Sequence, residues 1–518
     1  MKTSFSGPGR ELTADRGLHS VLRTGRREDP DRPLFRRRSE SGWHEIGYRE
    51  FVRHVESVAG ELLRRGVRRG DRVAILGRTG YEWALADFAI LAIGAVTVPV
   101  YPTSSPHQIR HVLGDSGASW FFAETAEDAS RLGAETVWLF AELDSWRDEP
   151  GTEFEAHQEK VRAGDLATIV YTSGTTGPPK GCLLTHGNMY ASSANTVLRT
   201  DWLFRQATEG SAEPATTALV LPLSHVFGRT ILLSCVIAGT RTALLPGVPE
   251  LLGELPTVRP TFLALVPYAL EKIRKLGLRD LGPLRYVISG GASLDDTTVA
   301  HYRDLGVEIL NCYGLTEAAT AVTVNAPASN RAGTVGRPIP GTTVGIADDG
   351  EVLVSGPNVS PGYWPAPVDT EPGWLHTGDL GRVDDDGYLV ITGRRKEILV
   401  TSGGKNVAPA PLEDRVRAHP LVSNCMVVGD GRPYVTALVT VDSSADATDR
   451  TVVADVQRAV DEANELVSRA ESIRKFVIVA GDFTVDAGHL TPSMKLRRAV
   501  IAQAYAADIA ALYRVDSK

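Results

Sequence analysis

The fold is decided by one stretch, Ala167-Thr-Ile-Val-Tyr171, directly followed by Thr172-Ser173-Gly174-Thr175-Thr176-Gly177-Pro178-Pro179-Lys180-Gly181. An apolar strand runs into a loop that is rich in hydroxyls and glycines and ends in a lysine. Such a loop can hold phosphate, because glycine permits close backbone approach, amides and hydroxyls donate hydrogen bonds, and lysine supplies charge. It is not the GxxxxGK[ST] loop, since Lys180 follows two prolines and Gly181 replaces Ser or Thr. A flexible surface loop is the alternative, which the three threonines, serine and lysine after an apolar strand disfavour.

The segments on both sides of this loop alternate between strands and helices. An amphipathic helix begins at Tyr48, and Gly66 marks its C-terminal end. Apolar runs predict strands over 72–76, 95–100, 216–221, 262–266 and 285–289, and a helix is predicted over 81–93. This alternation favours parallel strands joined by crossovers. Beyond Gly333, short strands with Gly, Pro and Asp turns predict a β-rich region.

A domain boundary is predicted near residues 393–396. After it, the pattern predicts helices over 411–419, 452–470 and 495–513 and strands over 422–428, 434–441 and 475–479. The predicted fold class is therefore α/β. A large N-terminal domain (1–393) has parallel α/β subdomains and a β-rich subdomain, and a hinge (394–397) joins it to a small, mobile α+β C-terminal lid (398–518).

Composition restricts the class of protein. The 518 residues include 55 Lys and Arg against 63 Asp and Glu, a net charge of −8, whereas a dedicated nucleic-acid binder would be basic. The four cysteines form no CxxC pair, which argues against a zinc site or disulfide framework and indicates a reducing compartment. No signal-peptide core and no membrane-spanning apolar stretch is visible. We expect a soluble cytoplasmic protein.

The first forty residues are rich in charge. They hold nine arginines between Arg10 and Arg38, mixed with acidic residues such as Glu11 and Asp15. Because charge runs are usually solvated, we expect a mixed-charge segment that lies in solvent where the chain enters the fold.

At the phosphate loop the sequence resembles the adenylate-forming superfamily, which includes acyl-CoA synthetases, luciferases and nonribosomal adenylation domains. The family loop YTSGTTGxPKG is present as YTSGTTGPPKG. Seven further family blocks follow in order: Leu221-Pro-Leu-Ser-His225, Ser289-Gly-Gly-Ala292, Tyr313-Gly-Leu-Thr-Glu317, Trp374-Leu-His-Thr-Gly-Asp379, Gly393-Arg-Arg-Lys-Glu397, Ser402-Gly-Gly-Lys405 and Leu490-Thr-Pro-Ser-Met-Lys495. The resemblance covers about residues 20–510 and is greatest to bacterial long-chain fatty-acid–CoA ligases, particularly in TSGGKNVAP and LTPSMKLRR.

The resemblance implies a two-step reaction. ATP and an acid give an acyl-adenylate and pyrophosphate, and a thiol, usually coenzyme A, then displaces AMP. The loop residues Thr172, Ser173, Gly174, Thr175, Thr176 and Lys180 would bind the ATP phosphates. The family position of Glu317 holds Mg²⁺, an ion that prefers oxygen ligands, and that of Thr316 contacts the α-phosphate. Taken alone, Thr316-Glu317 would be an ordinary helix N-terminus.

The resemblance also implies a nucleotide site. Tyr313 offers a face on which adenine can stack, and Asn311 with the strand end Gly290-Gly291-Ala292 would contact the base edge. Asp379 would accept hydrogen bonds from the ribose hydroxyls, although Gly-Asp alone is a common turn. Arg394, at the hinge, is a second candidate for contact with the nucleotide.

The remaining candidates concern the acid and the chemistry. His225 would gate the acid pocket and position the substrate. Lys495 would stabilise the charge that develops during adenylation, the alternative being one more solvated cation in the Lys495-Leu-Arg-Arg498 run. Lys396 occupies the pivot. The Gly403-Gly404-Lys405 loop would let a pantetheine thiol approach in the second step.

One departure from the family pattern leaves the acid and the acceptor open. Long-chain ligases commonly carry an insertion where residues 276–282 here close the gap directly, which argues against a long acyl tunnel and membrane association and favours a smaller or more polar acid. The leading hypothesis is an ATP- and Mg²⁺-dependent acyl-CoA synthetase for a fatty or aryl acid. The alternatives are a carrier-protein loader, a diazotase that uses nitrite and an aryl amine, and a catalytically silent binding protein.

Overall fold

The computed structural model describes residues 2–39, 42–146, 152–172, 179–292, 294–365, 373–442, 445–491 and 494–514. The strands are β1 (Lys2–Phe5), β2 (Pro33–Ser39), β3 (Gly42–Gly47), β4 (Arg72–Leu76), β5 (Val96–Val100), β6 (Trp120–Ala123), β7 (Trp138–Leu139), β8 (Leu166–Thr172), β9 (Lys180–Thr185), β10 (Thr216–Leu219), β11 (Arg241–Leu244), β12 (Phe262–Leu265), β13 (Tyr286–Ser289), β14 (Glu308–Leu315), β15 (Thr320–Val324), β16 (Arg337–Pro338), β17 (Thr343–Ile346), β18 (Glu351–Ser355), β19 (Gly362–Tyr363), β20 (Leu375–Val383), β21 (Leu389–Arg394), β22 (Leu399–Val400), β23 (Asn406–Val407), β24 (Val422–Val428), β25 (Thr436–Val441) and β26 (Phe476–Ile478).

The helices are α1 (Ser20–Glu28), α2 (Tyr48–Arg64), α3 (Tyr81–Ala92), α4 (Pro106–Ser116), α5 (Ala126–Leu132), α6 (Thr152–Gln158), α7 (His186–Arg199), α8 (Val226–Ala238), α9 (Val248–Val258), α10 (Pro267–Lys275), α11 (Asp296–Asp304), α12 (Pro409–Arg417), α13 (Arg450–Asn464), α14 (Arg498–Ala504) and α15 (Ala506–Leu512). Short 3-10 helices include Thr316–Ala318 and Arg395–Glu397. Within these ranges, no helix has the length and apolar character needed to cross a membrane.

The phosphate loop emerges from a seven-stranded sheet of order β19-β9-β8-β5-β4-β6-β7. Strands β4 to β8 run parallel in this sheet, which confirms the predicted parallel arrangement. β8 then turns back antiparallel into β9, and Thr172 pairs with Lys180. This hairpin brings the two ends of the phosphate loop together at one edge of the sheet.

A second sheet of order β12-β13-β14-β15-β16 supplies further strand ends. β12, β13 and β14 are parallel, and Ser289 at the end of β13 pairs with Asn311 of β14. The predicted strands 262–266 and 285–289 correspond to β12 and β13, and each is one residue shorter. Since neighbouring parallel strands end at the same edge, residues 289–292 and 311–317 lie side by side.

The N-terminal segment is folded into the large domain, so the prediction of a solvated entry segment was wrong. β2 pairs with β11 and β3 in the sheet β10-β11-β2-β3. Leu18, Leu34 and Phe35 are fully buried, while the neighbouring arginines form ion pairs, as Arg37 does with Glu82. The core positions of β2 are thus the consecutive residues Leu34 and Phe35, and the charged positions follow them along the same strand.

The β-rich region is a five-stranded antiparallel sheet of order β1-β17-β18-β20-β21, as predicted for residues beyond Gly333. The chain after β21 forms a further α+β unit, in which the sheet β24-β25-β26 packs against α12 and α13. The predicted helix 452–470 ends at Asn464, and the predicted helix 495–513 is two helices, α14 and α15. We name residues 399–514 the C-terminal unit.

Candidate active site

The described ends of the phosphate loop are held by side chains on its flanks. Ser173, Gly174, Thr175 and Thr176 lie outside the described residues, whereas Thr172 and Lys180 close the hairpin. His111 Nε2 lies 2.8 Å from the Pro179 carbonyl oxygen, and the Tyr171 hydroxyl donates to Asp115 at 2.6 Å. Helix α4, which carries His111 and Asp115, thus fixes where the loop starts and stops.

Glu317 and Lys180 both lie next to one aromatic residue, Tyr363. The Tyr363 hydroxyl donates to Glu317 Oε1, and the Lys180 ammonium lies 5.8 Å from the centroid of the Tyr363 ring. Thr316 and Glu317 begin the 3-10 helix that follows β14, so they form no α-helix N-terminus. A cation and a carboxylate therefore face the same space next to the phosphate loop.

The chain reaches Glu317 through an unusually tight crossing. A Cβ at Gly314 would lie 1.5 Å from the carbonyl oxygen of Thr320, so only glycine fits between β14 and β15. Thr320 itself has φ of 89°, a region that β-branched residues rarely occupy. Strained backbone of this kind is typical of sites where geometry is dictated by function.

The residues present fit a nucleotide with Mg²⁺. In the described ranges, no group of three His, Cys, Asp or Glu side chains could hold a metal alone. An ion at Glu317 would therefore need phosphate oxygens as further ligands, which is how Mg²⁺ is usually bound. At the neighbouring strand end, Gly291 has φ of 89° and no atom within 4 Å of the position of a Cβ, and Ala292 is exposed. This edge has room for a ligand beside Asn311. The backbone carbonyl of Asn311 accepts a hydrogen bond from the backbone amide of Asn325.

Asp379 is bonded from both sides. The Tyr313 hydroxyl donates to Oδ2 at 2.6 Å and Arg394 Nε donates to Oδ1 at 2.8 Å, while the Asp379 side chain is only 5% exposed. Burial and the nearby carboxylate raise the pKa of Tyr313 well above its ordinary value. The structure thus brings Tyr313, Asp379 and Arg394 together, as expected for one site, and Tyr313 has a polar contact that the stacking prediction did not include.

His225 caps the N-terminus of α8 and is neutral. Its Nδ1 accepts a hydrogen bond from the Phe227 amide at 3.0 Å, so the proton of the ring must sit on Nε2. Burial, with the positive charge of Lys495, lowers the pKa of His225 to about 4. A histidine that stays neutral across physiological pH suits positioning of a substrate better than proton transfer.

Lys495 comes from the C-terminal unit into the same cleft. Solvent reaches its side chain, but groups from both parts of the chain surround it. Desolvation lowers its pKa, as does the nearby Arg394, whereas Asp379, Glu397 and Glu317 act in the opposite direction. The lysine sits on a tight turn in which its amide donates to Thr491 Oγ1 at 3.0 Å.

Gly403 and Gly404 are not part of this cluster. They form a turn closed by the Gly404 amide and the Thr401 carbonyl at 2.8 Å, and Gly404 has φ of 77°. Lys405 pairs with Glu471, also in the C-terminal unit. The described contacts of this turn therefore connect it to its own unit and not to the cleft of Lys495.

Sequence reasoning missed three groups around the site. Tyr363, which holds Glu317, carries no pattern of its own in the sequence. Tyr101 follows strand β5, and its ring centroid lies 6.3 Å from that of His225. Arg229 forms a buried bidentate pair with Asp87, with Nη2 and Nε at 2.7 and 3.1 Å from its two oxygens. Of these groups, only Arg229 could have been found from the sequence, because a charged residue within the apolar run of α8 needs a buried partner.

These elements define a class: enzymes in which a small C-terminal unit completes a nucleotide site on a large N-terminal domain. The chain belongs to the AMP-binding enzyme family, whose profile matches residues 22–364, and the profile of the family's C-terminal domain matches residues 396–517. It is 37% identical to long-chain-fatty-acid–CoA ligase FadD15 of Mycobacterium bovis, over 95% of this chain and 96% of that protein. That alignment spans 581 positions, more than the length of this chain, so this chain has gaps relative to FadD15.

Three further similarities are informative, one to a curated protein and two to solved structures. Feruloyl-CoA synthase of Amycolatopsis is 34% identical over 74% of this chain and 80% of that protein. The solved structure of anthranilate CoA ligase AuaEII with anthranoyl-AMP has a TM-score of 0.80 at 21% identity, covering 96% of this chain and 99% of that chain. O-succinylbenzoate CoA synthetase of Bacillus subtilis, with AMP, has a TM-score of 0.77 at 24% identity, covering 95% and 98%. The two structural similarities support the fold.

Proposed function

We propose that this protein is an ATP- and Mg²⁺-dependent acyl-CoA ligase that acts on a fatty or aryl carboxylic acid. The observation that carries the proposal is the meeting of Lys495, from the C-terminal unit, with His225, Asp379 and Glu317 of the N-terminal domain. The relatives named for long-chain fatty acids and for ferulate support an acid of either kind.

In the first step, a carboxylate oxygen of the acid attacks the α-phosphorus of ATP, and pyrophosphate leaves. Thr172 to Thr176 and Lys180 bind the phosphates, and Thr316 contacts the α-phosphate. Bound at Glu317, Mg²⁺ would neutralise phosphate charge. Lys495 stabilises the negative charge that gathers where the acid and phosphate meet. Neutral His225 orients the acid, because it donates from Nε2 and carries no charge of its own.

The nucleotide base and ribose occupy the strand ends. Adenine lies against Tyr313, between Asn311 and the Gly291-Ala292 edge, where the structure leaves room. The ribose hydroxyls donate to Asp379, whose present partners, Tyr313 and Arg394, hold the carboxylate in a fixed orientation.

In the second step, the thiol sulfur of CoA attacks the acyl carbonyl and AMP leaves as the carboxyl–phosphate bond breaks. We propose that the units divide as residues 1–393, a hinge at 394–397 and residues 398–518. Lys396 is the pivot, and the Gly403-Gly404 turn is presented to the thiol after rotation. The described contacts of that turn lie within the C-terminal unit, which supports a separate arrangement for this step.

The decisive experiment is acid-dependent exchange of labelled pyrophosphate into ATP. Lys495→Ala should abolish exchange, whereas Lys475→Ala, which removes an exposed lysine of the same unit, should leave it intact. Exchange that survives in Lys495→Ala removes the lysine from the mechanism.

A different acceptor is the second candidate, and the gaps relative to FadD15 favour testing it. AMP release should be compared with CoA, with a carrier protein, and with nitrite plus an aryl amine. Activity with CoA alone rejects carrier-protein loading and diazotisation. Tight binding of ATP without turnover of any acid would instead indicate a binding protein.

A further inference from the structure

One helix of the N-terminal domain, α10, makes a dense polar contact with the C-terminal unit. Arg417 at the end of α12 contacts both carboxylate oxygens of Glu271, with Nε at 3.2 Å and Nη2 at 3.4 Å. Arg274 Nη2 donates to the Ala418 carbonyl at 2.8 Å, and Lys275 Nζ donates to the Val422 carbonyl at 2.9 Å. Three side chains within one turn and a half of α10 therefore bind the short segment 417–422.

The Glu271–Arg417 pair is the buried part of this contact. The Glu271 side chain is 5% exposed and that of Arg417 is 19% exposed. A carboxylate that has lost water is stable only while a charged partner faces it. Ala418 is the C-cap of α12, so Arg274 also satisfies a carbonyl that the helix itself leaves without a partner. The contact is specific to the present orientation of the two parts of the chain.

Helix α12 connects this contact to Lys495. Glu413, one turn before Arg417, forms a bidentate pair with Arg498, with Nη1–Oε1 at 2.6 Å and Nη2–Oε2 at 2.5 Å. Arg498 stands three residues after Lys495 and begins α14. One rigid helix therefore joins the docked segment on one side to the turn that carries Lys495 on the other.

We propose that the Glu271–Arg417 ion pair is a latch that holds the C-terminal unit in the orientation where Lys495 enters the cleft. The proposal rests on the proposed function, because it takes the role of Lys495 in adenylation as given. Glu271 and Arg417 are positioning residues: neither is placed at the cleft, and both act by raising the population of the state that is competent for adenylation.

The test compares the two half-reactions in Glu271→Gln, which preserves the size of the side chain and removes its charge. We expect pyrophosphate exchange to fall about fivefold to tenfold, since a hydrogen bond between charged groups is lost. CoA-dependent release of AMP from a supplied acyl-adenylate should not fall, because that step does not need this orientation. Glu462→Gln is the matched control, as Glu462 pairs with Arg415 inside the C-terminal unit.

Three further results decide the matter. Arg417→Ala should reproduce the selective loss of exchange, and Arg417→Lys should restore part of it. The double variant of Glu271→Gln with Arg417→Ala should show no less exchange than the more impaired single variant. The latch proposal is overturned if Glu271→Gln and Glu462→Gln show equal rates of exchange. It is also overturned if both half-reactions fall equally in Glu271→Gln. If Lys495→Ala keeps full exchange, the proposed function of Lys495 fails instead, whatever the latch variants show.

Discussion

Two buried histidines, His19 and His186, predict that the N-terminal domain loses stability as the pH falls below neutrality. His19 is 6% exposed and His186 is fully buried, and the Leu18 amide donates to His186 Nδ1 at 3.1 Å. Among the described residues, nothing bonds His186 Nε2 or His19 Nδ1. Burial, the other histidine and Arg23 lower the pKa of His19 to about 3. Burial is also the main cause that lowers the pKa of His186, to about 4.

The sign of the effect follows from these values. Both folded pKa values lie below the unfolded value of about 6.5, so the unfolded chain binds protons first as the pH decreases. The stabilisation is complete above about pH 6.5 and is lost progressively as the pH falls, down to about pH 4 for His186 and about pH 3 for His19. Between pH 7 and 5.5, each histidine should remove about 1.2 kcal/mol from the free energy of unfolding, or about 2.5 kcal/mol for the pair.

The assay is urea unfolding of the full chain at pH 7.0 and 5.5, followed by tryptophan fluorescence. His19→Gln and His186→Gln should each reduce the difference in unfolding free energy between the two pH values by about 1.2 kcal/mol, whatever their effect at pH 7. His107→Gln, at an exposed position, should leave the difference unchanged. His225 is unchanged in all these variants, so it makes the same contribution to the pH dependence of each. If the double variant keeps the full wild-type difference, the two histidines are not its source and the reasoning fails.

Three other perturbations have expected outcomes. Gly314→Ala should lower the melting temperature by about 5 °C in a thermal unfolding scan, because its Cβ would overlap the Thr320 carbonyl; an unchanged melting temperature would contradict the crossing. Asp87→Asn should lower the free energy of unfolding, measured in urea, by about 3–5 kcal/mol, because Arg229 stays buried with its charge unpaired. Asp87→Leu combined with Arg229→Met should recover much of that free energy. Tyr363→Phe should raise the Mg²⁺ concentration needed for half-maximal exchange about fivefold, because it frees Glu317, the proposed Mg²⁺ ligand, from its hydrogen bond, with the KM of the acid unchanged.

The sequence could predict six of the parallel strands, β4, β5, β8, β10, β12 and β13, because each is a short apolar run bounded by turn residues. It could not predict β2, whose core positions Leu34 and Phe35 are followed directly by three arginines. Their pairing partner, β11, lies about 200 residues away, and no local pattern reports such a pairing. Helix α13 also ends earlier than the sequence predicts, because residues after Asn464 retain helix-forming composition but the amide and hydroxyl of Ser468 bind Glu471 in a turn.

The candidate site was found through family motifs, and its supporting contacts were not. Asp379, Glu317 and Lys495 stand in recognisable blocks, whereas Tyr363 and Glu271 stand in none. What gives Glu271 its role is an arginine 146 positions later, and that relation exists only once both units are folded. Motifs thus identify the groups that we propose to contact the ligand, while the residues that orient those groups depend on tertiary packing.

The electrostatics of the cleft explain why Lys495 belongs to a separate unit. Desolvation and Arg394 disfavour its charged form there, and Asp379, Glu397 and Glu317 only partly compensate until phosphate is bound. A lysine fixed permanently in the cleft would carry that cost in every state of the enzyme. When the lysine lies on a unit that can leave, the cost arises only in the docked orientation, and the contacts of Glu271, Arg274 and Lys275 offset it there. In the proposed mechanism, the strength of this docking is therefore bounded on both sides. Docking that is too weak leaves Lys495 outside the cleft, and docking that is too strong prevents the unit from withdrawing for the second step.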